Sequence, residues 1–298
     1  MEYDVIIVGG SYAGLSAAMA LGRSLRKVLI LDSGLPCNRQ TPHSHNFITQ
    51  DGEKPGVIAD IARAQVLQYD TVKIINDLAV STSKIESDFE VTTQDGTRLR
   101  ARKLIFATGI QDSMPPIKGF AECWGISVVH CPYCHGYELR NVRTGIIANG
   151  ERAIHLASLV NNLTREVTVL TSGKSELTSE QVAKLAEHNI GIVETAISEI
   201  EHRQGHVQSV VFNDGNKTAF EAVYAAIPFT QHSDIPVALG CELTDQGYIK
   251  VDGSQKTTVD GIFACGDNSS MMRSVANAVY TGNITGAMVN RELTLENF

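Results

Sequence analysis

Two cysteines separated by two residues, Cys131-Pro132-Tyr133-Cys134, with His135 following at once, are the part of this sequence best equipped for chemistry. That spacing lets two sulfurs meet in a disulfide that opens and closes readily, and a helix start at the motif lowers the pKa of a thiol. His135 adds a group able to move protons near neutral pH. The combination points to thiol–disulfide redox chemistry.

Three other uses of such a pentapeptide each need something more. Haem attachment through Cys-x-x-Cys-His needs export. The chain instead runs from Met1 into the apolar Val5-Ile6-Ile7-Val8, with no basic leader or cleavage site, so a cytoplasmic location is expected. Zinc wants two further ligands at knuckle-like spacing, and only His130 and Cys123 lie nearby. The Cys-Pro-Tyr-Cys of glutaredoxins sits near the start of a small domain, not between two dinucleotide-binding units. Of the six cysteines only Cys131 and Cys134 are closely spaced. Cys37, Cys123, Cys241 and Cys265 are expected to be packing residues.

The elements that position this motif repeat one plan twice. In the first copy Tyr3–Val8 reads as a buried strand, Gly9-Gly10-Ser11-Tyr12-Ala13-Gly14 as a tight turn, Leu15 to about Leu21 as a small-residue helix, and Lys27–Leu31 as a second strand ending in Asp32. A hairpin-like stretch, 89–102, turns at Asp95-Gly96, and the strand 103–106 closes on Ala107-Thr108-Gly109. The second copy starts with the strand 144–147, then Ala148-Asn149-Gly150-Glu151-Arg152-Ala153, a helix to about Leu163 and the strand 167–170. A further hairpin-like stretch, 206–220, turns at Asp214-Gly215 and leads to the strand 222–226. The expected fold class is α/β, with two Rossmann-like three-layer dinucleotide-binding domains, the second inserted into the first. Residues 1–112 and 233–298 would form one domain and 113–232 the other.

Composition agrees with a compact enzyme. At 298 residues the chain can bury two cores, and hydrophobic residues make up 43% against 19% charged. The net charge of -8, with no run of basic residues, argues against a nucleic-acid partner. No apolar stretch approaches the roughly 20 residues of a membrane span, so no membrane partner is expected.

In a dinucleotide-binding turn the first glycine makes the bend, the second admits the pyrophosphate and the third lets helix pack on strand. Gly9, Ser11 and Gly14 fill those places, Ser11 being small enough to admit phosphate, and Asp32 stands where a carboxylate accepts from a ribose. Towards the C-terminus, Gly261-Ile262-Phe263-Ala264-Cys265-Gly266-Asp267 reads as a strand delivering a Gly-Asp pair to a helix N-terminus near Ser274–Asn277. Together with Ala107-Thr108-Gly109 these segments resemble the FAD-binding elements of the low-molecular-weight thioredoxin reductase family, over nearly the whole chain. The resemblance implies FAD contacts at Gly9, Ser11, Gly14, Asp32, Ser33, Arg39, Asn46, Thr108, Gly109, Gly266, Asp267 and Ala276, and a homodimer. It makes Cys134 the sulfur facing the flavin, Cys131 the one exchanging with substrate, and His135, where many relatives carry an acid, the general acid/base.

The second nucleotide turn departs from that family. Ala148 replaces the first glycine, and Thr171-Ser172-Gly173-Lys174 offers one lysine where NADPH-dependent relatives present a basic cluster for the 2′-phosphate. No acid stands in that loop to take an NAD ribose. NADPH binding is therefore expected to be weak or absent. Cys131–Glu138 and His43-Ser44-His45-Asn46 resemble segments of the gliotoxin-type dithiol oxidases, in which a small dithiol gives its electrons through FAD to oxygen. His43 and His45 would line the flavin face and relay protons. The favoured reading is a dithiol oxidase acting on a small molecule or peptide. An NADPH-dependent reductase of a thioredoxin-like protein and a non-catalytic flavin redox sensor are the alternatives. Tyr137 and Trp124 are open between pocket and core.

Overall fold

The computed structural model describes residues 2–298, and the chain divides into two compact units. Of the described residues, the first comprises 2–39, 47–111 and 230–298; the second comprises 40–46 and 112–229. The first unit is built on the strand Glu2–Val8, whose apolar residues are buried on both faces, as a central parallel strand demands. Val28–Leu31 pairs parallel on one side of it, with Val72–Ile75 beyond, and Arg98–Phe106 pairs parallel on the other. The expected hairpin is present, and its second arm and the strand that follows are one continuous strand, Arg98–Phe106. Its first half pairs antiparallel with Asp88–Thr93 and its second half parallel with Ile262–Ala264. Ala79–Ile85 completes the sheet. The switch in strand order beside Glu2–Val8 opens a crevice at the carboxyl ends of the strands, where such sheets bind ligands.

Helix Tyr12–Arg23 packs against helix Val275–Leu295 at backbone contact. A Cβ on Gly282 would stand 2.2 Å from the Ala13 carbonyl oxygen, and one on Gly286 2.5 Å from that of Ala17. These glycines let the C-terminal helix lock the first helix, and so the turn that precedes it, onto the sheet. The sequence assigned no helix or strand to 34–88, yet this stretch supplies helix Pro55–Val66 and the strands Val72–Ile75 and Ala79–Ile85.

The second unit repeats the plan. Five parallel strands run in the order Gly191–Val193, Val167–Leu170, Thr144–Ile147, Ala222–Ala225 and Val128–Val129. Its antiparallel meander, Ile197–Arg203, His206–Phe212 and Lys217–Ala219, forms a separate sheet. Helix Gly150–Val160 follows the nucleotide-type turn, and Ser179–Glu187 opens with a full capping box, Thr178 and Gln181 satisfying each other's backbone N–H. The segment 40–46, expected in the first domain, belongs to this unit. Gln40 donates to the Ala121 carbonyl, and Thr41 Oγ1 lies 3.1 Å from the place of a Gly125 Cβ. Among the described residues no helix is long and apolar enough to cross a membrane.

Candidate functional site

In the first unit the turn 9–14 is shaped by contacts that exclude side chains. Gly9 has φ +108°, and a Cβ there would stand 2.2 Å from the Ala107 carbonyl oxygen. A Cβ on Gly14 would stand 2.0 Å from the Gly9 carbonyl oxygen. Ser11 is the N-cap of helix Tyr12–Arg23, but its side chain makes no capping hydrogen bond, and the first turn carries no acidic residue. The helix start is thus left to an anion, which the macrodipole favours. Asp32 ends its strand where expected. Its Oδ1 accepts from the N–H groups of Gly10 and Gly34, and its Oδ2 is 2.6 Å from Arg63. A carboxylate with about four acceptor positions still has room for a ribose hydroxyl.

The Gly266-Asp267 turn is tied into the same crevice. Gly266 N–H donates to Thr281 Oγ1, and the wholly buried Asn268 donates to the Phe106 carbonyl and to Thr108 Oγ1. Asn268 Oδ1 has no hydrogen-bond partner, and Asn268 itself accepts at its carbonyl from Gln231 and Ile249. Sequence reasoning missed Asn268, although it follows Asp267 directly. Gly9, Ser11, Gly14, Asp32, Thr108, Gly109, Gly266 and Asp267 all lie at the carboxyl end of this sheet or in its turns. Ala276 is exposed in the first turn of helix Val275–Leu295, Ser33 and Arg39 are exposed after Asp32, and Asn46 belongs to the second unit. An open helix start, a turn without room for Cβ atoms and a spare carboxylate acceptor fit the pyrophosphate and ribose of a dinucleotide.

The second unit holds the redox pair. Cys131 and Cys134 are disulfide-bonded with Cα atoms 5.3 Å apart. Cys131 is the N-cap of the short helical turn Pro132–His135, and the Cys134 N–H donates to Cys131 Sγ at 3.1 Å. Pro132 at the first helical position presets the turn. Gly136 closes it, since a Cβ there would meet the Pro132 carbonyl oxygen at 2.2 Å and Leu163 Cδ1 at 2.5 Å. The turn therefore holds both sulfurs and His135 in one arrangement.

His135 is half-buried, both its ring nitrogens are shielded from solvent, and neither has a hydrogen-bond partner. Burial lowers its pKa below the ordinary imidazole value; the nearby Glu138 raises it and His45 lowers it. His45 Nε2 is 3.6 Å from Glu138 Oε1 and the His43 ring centroid 6.5 Å from that of His45. Tyr137 is exposed, with the Arg140 guanidinium 3.9 Å over its ring. Trp124 is core, stacked between Phe120 and His130. Of the remaining cysteines, burial pushes Cys265 up to about 12 and Cys123 up to about 11, and raises Cys241. Cys37 corrects the packing expectation: it is exposed, in the loop after Asp32, because the short apolar run there ends before it.

The second nucleotide-type turn differs from the first. Asn149 caps helix Gly150–Val160, its Oδ1 accepting from the N–H groups of Gly150 and Glu176, while its Nδ2 donates to the Lys174 carbonyl. The stretch 174–176 is thereby drawn over the helix start. Glu151 lies in the first turn, and a Gly150 Cβ would stand 3.6 Å from Glu176 Oε2. Two carboxylates thus occupy the end of the helix that a phosphate needs. Lys174 is exposed, and Ser172 accepts from the Ile197 N–H. The sequence placed no acid here; Glu176 lies just beyond the inspected loop and reaches the turn through the Asn149 hydrogen bonds.

Comparison with known proteins gives a consistent result. Residues 3–282 match the family described as pyridine nucleotide-disulphide oxidoreductase. Among curated proteins, thioredoxin reductase tcpT of Claviceps purpurea is 33% identical over 97% of this chain and 94% of its own length. Thioredoxin reductase aclD of Aspergillus oryzae is 30% identical over 99% and 97%. Among solved structures, an oxidoreductase from Agrobacterium tumefaciens is similar with TM-score 0.93 and 38% identity, covering 99% of both chains. A putative thioredoxin reductase TrxB from Bacillus anthracis has TM-score 0.94 and 29% identity, over 99% and 100%.

Proposed function

The chain belongs to the pyridine nucleotide-disulphide oxidoreductase family, an FAD-binding family, and from that premise we propose that it is a dithiol oxidase. Its class, an FAD-dependent oxidoreductase acting on sulfur, follows from the family and the thioredoxin reductase relatives. The observation that carries the oxidase direction is the second nucleotide turn: its helix start is capped by Asn149 and bordered by Glu151 and Glu176, which disfavours the phosphates of NADPH.

In the proposed reaction one substrate thiolate attacks Cys131 Sγ; the Cys131–Cys134 bond breaks and Cys134 leaves as thiolate. The second substrate thiolate displaces Cys131 from the mixed disulfide, closing the substrate disulfide and leaving two electrons on the cysteine pair. His135, held neutral by burial, takes a proton from the attacking thiol. FAD, when bound, would supply the acceptor for that electron pair and oxygen the final oxidant, so that dithiol and oxygen would become disulfide and hydrogen peroxide. Gly9, Ser11 and Gly14 would admit its pyrophosphate, Asp32 its ribose, and Gly266-Asp267 its ribityl chain, with Thr108 and Gly109 beside them and Asn268 holding the two turns together. Tyr133, between the two cysteines in the sequence, and Tyr137, three residues after Cys134, are exposed and would offer apolar surface to a small substrate. The location proposed is cytoplasmic and the assembly a homodimer.

The names of the relatives favour a second reading, reduction of a thioredoxin-like protein by NADPH. Anaerobic absorbance titration of the yellow protein separates the two. The oxidase reading expects NADPH to leave the flavin band unchanged, a dithiol to bleach it, and air to restore it with peroxide formed. Rapid stoichiometric bleaching by NADPH would make the protein a reductase. A single stoichiometric bleaching by dithiol with no further turnover in air would favour a redox sensor.

A further inference from the structure

The second nucleotide-type turn is closed by the protein's own chain. Strand Thr144–Ile147, helix Gly150–Val160 and strand Val167–Leu170 have the order and parallel pairing of a dinucleotide-binding unit. Ala153 holds the place of the third glycine and is wholly buried, so helix and strand still pack closely. Gly150 holds the second, where backbone meets pyrophosphate. Beyond its own helix, a Cβ added at Gly150 would have within 4 Å, among the described residues, only Glu176, with Oε2 at 3.6 Å and Cβ at 3.8 Å. One carboxylate side chain thus fills the space that a pyrophosphate would take.

Glu176 is held there by a strap, residues 174–178, anchored at both ends. Asn149 fixes the first end: its Oδ1 accepts from the Glu176 N–H and its Nδ2 donates to the Lys174 carbonyl, both at 2.9 Å. The same Oδ1 accepts from the Gly150 N–H, so one side chain caps the helix and clasps the strap. Gln181 fixes the other end. Its Oε1 accepts from the Thr178 N–H, and its Nε2 donates to Glu151, the acid in the first turn of helix Gly150–Val160. Between these anchors Leu177 packs against the buried core of the unit. The corresponding helix start in the first unit, at Ser11, has neither a side-chain cap nor an acid.

We propose that Asn149 and Glu176 determine which electron donor the protein refuses: the strap is a built-in occupant of the pyrophosphate place, and it excludes NADPH and NADH alike. It acts on the pyrophosphate that both nucleotides share, not on the 2′-phosphate that distinguishes them. The inference rests on the reading that a dithiol, and not a pyridine nucleotide, supplies the electrons. An oxidase needs such an exclusion. If a pyridine nucleotide reduced the same disulfide, NADPH, a proton and oxygen would become NADP+ and hydrogen peroxide with no substrate oxidised.

The test measures NADP+ and NAD+ binding by isothermal titration calorimetry to the purified flavoprotein, comparing wild type with Glu176→Gln, Asn149→Gly and the double variant. Anaerobic flavin bleaching by NADPH is the second readout. Glu176→Gln keeps the strap, whose bond at this residue uses the backbone N–H, and removes only the charge. Asn149→Gly frees the strap at a cap position that tolerates glycine. Removing one charge from a helix start changes Kd by about two- to fivefold, and Glu176→Gln should tighten both nucleotides by that factor. The double variant should tighten them at least about tenfold, because the freed Gly150 N–H adds a hydrogen bond to phosphate. Glu180→Gln removes an equal charge from the first turn of helix Ser179–Glu187 and should change nothing. If wild type binds neither nucleotide tightly and the double variant, with FAD and circular dichroism intact, binds no better, the strap is not what excludes them and only this proposal falls. It falls equally if Glu180→Gln gives the same gain, or if NADP+ alone gains, which would put the discrimination at the 2′-phosphate. Should the double variant not fold, Glu176→Gln decides alone, and no gain overturns the proposal. Micromolar binding of NADP+ to wild type, with rapid bleaching by NADPH, would instead overturn the oxidase reading beneath it.

Discussion

Replacing Gly14 with Ala tests the flavin cradle most directly, because the clash can be measured in advance. The added Cβ would stand 2.0 Å from the Gly9 carbonyl oxygen, against a practical minimum of 3.0 Å, so turn or helix must move by at least 3.0 − 2.0 = 1.0 Å. Neither side yields easily: Gly9 is pinned by its hydrogen bond to Leu31 and by the Ala107 carbonyl, and the helix by Gly282 and Gly286 against its backbone. A displacement of that size takes a helix-start N–H out of hydrogen-bond range of a phosphate. A hydrogen bond to a charged group is worth about 1.5–3 kcal/mol, which corresponds to FAD binding about 10- to 150-fold weaker. Overpacking should cost a further ~1–3 kcal/mol of stability. The assay is FAD content after purification together with titration of the apoprotein with FAD. Gly56→Ala, in helix Pro55–Val66 with nothing within 4 Å of the new Cβ, is the control, expected to keep full FAD and to gain up to about 1 kcal/mol. Full occupancy and an unchanged Kd in Gly14→Ala would refute the assignment of this turn to the pyrophosphate.

Three further outcomes are expected. Serine at either Cys131 or Cys134 should lower dithiol turnover at least about 10³-fold, as deletion of a covalent-catalysis residue does. Cys134→Ser should trap a stable mixed disulfide with hydroxyethyl disulfide on intact mass; faster trapping in Cys131→Ser would reverse the roles of the two sulfurs. Because the folded pKa of His135 lies below its ordinary 6.5, the unfolded chain binds the proton first as pH falls. Stability should therefore be lost as pH drops below about 6.5, and His135→Phe should flatten that fall in urea unfolding at about pH 5 and 7; parallel curves for the two proteins would contradict it. Native, oxidised protein should label one thiol rapidly with a maleimide, the exposed Cys37, while Cys123, Cys241 and Cys265 react only on unfolding. Cys37→Ser should abolish the fast phase, and a surviving fast equivalent would mean that one of the buried thiols opens to solvent.

The sequence alone determined the features that short stretches of backbone encode. Gly9 to Gly14 specify a turn because the conformation of one residue and the closeness of another, five positions along, exclude a Cβ. Cys131 and Cys134 specify a disulfide because two intervening residues and Pro132 fix their separation. Asp95-Gly96 and Asp214-Gly215 mark hairpins, and four-residue apolar runs mark parallel strands, for equally local reasons. Tertiary structure decided what depends on residues far apart in the chain. His45 meets Glu138 across 93 positions only because 40–46 folds with the second unit, and Asn268 reaches Phe106 across 162. Tyr224 reads as one more apolar strand residue until its hydroxyl is found buried and unpaired. In the second nucleotide turn the sequence showed only a replaced glycine and a missing basic cluster, and it was Asn149 drawing Glu176 across the helix start that set its charge. Such encounters leave no period or spacing in the sequence, since they are fixed by how sheets and helices pack rather than by which residues are neighbours.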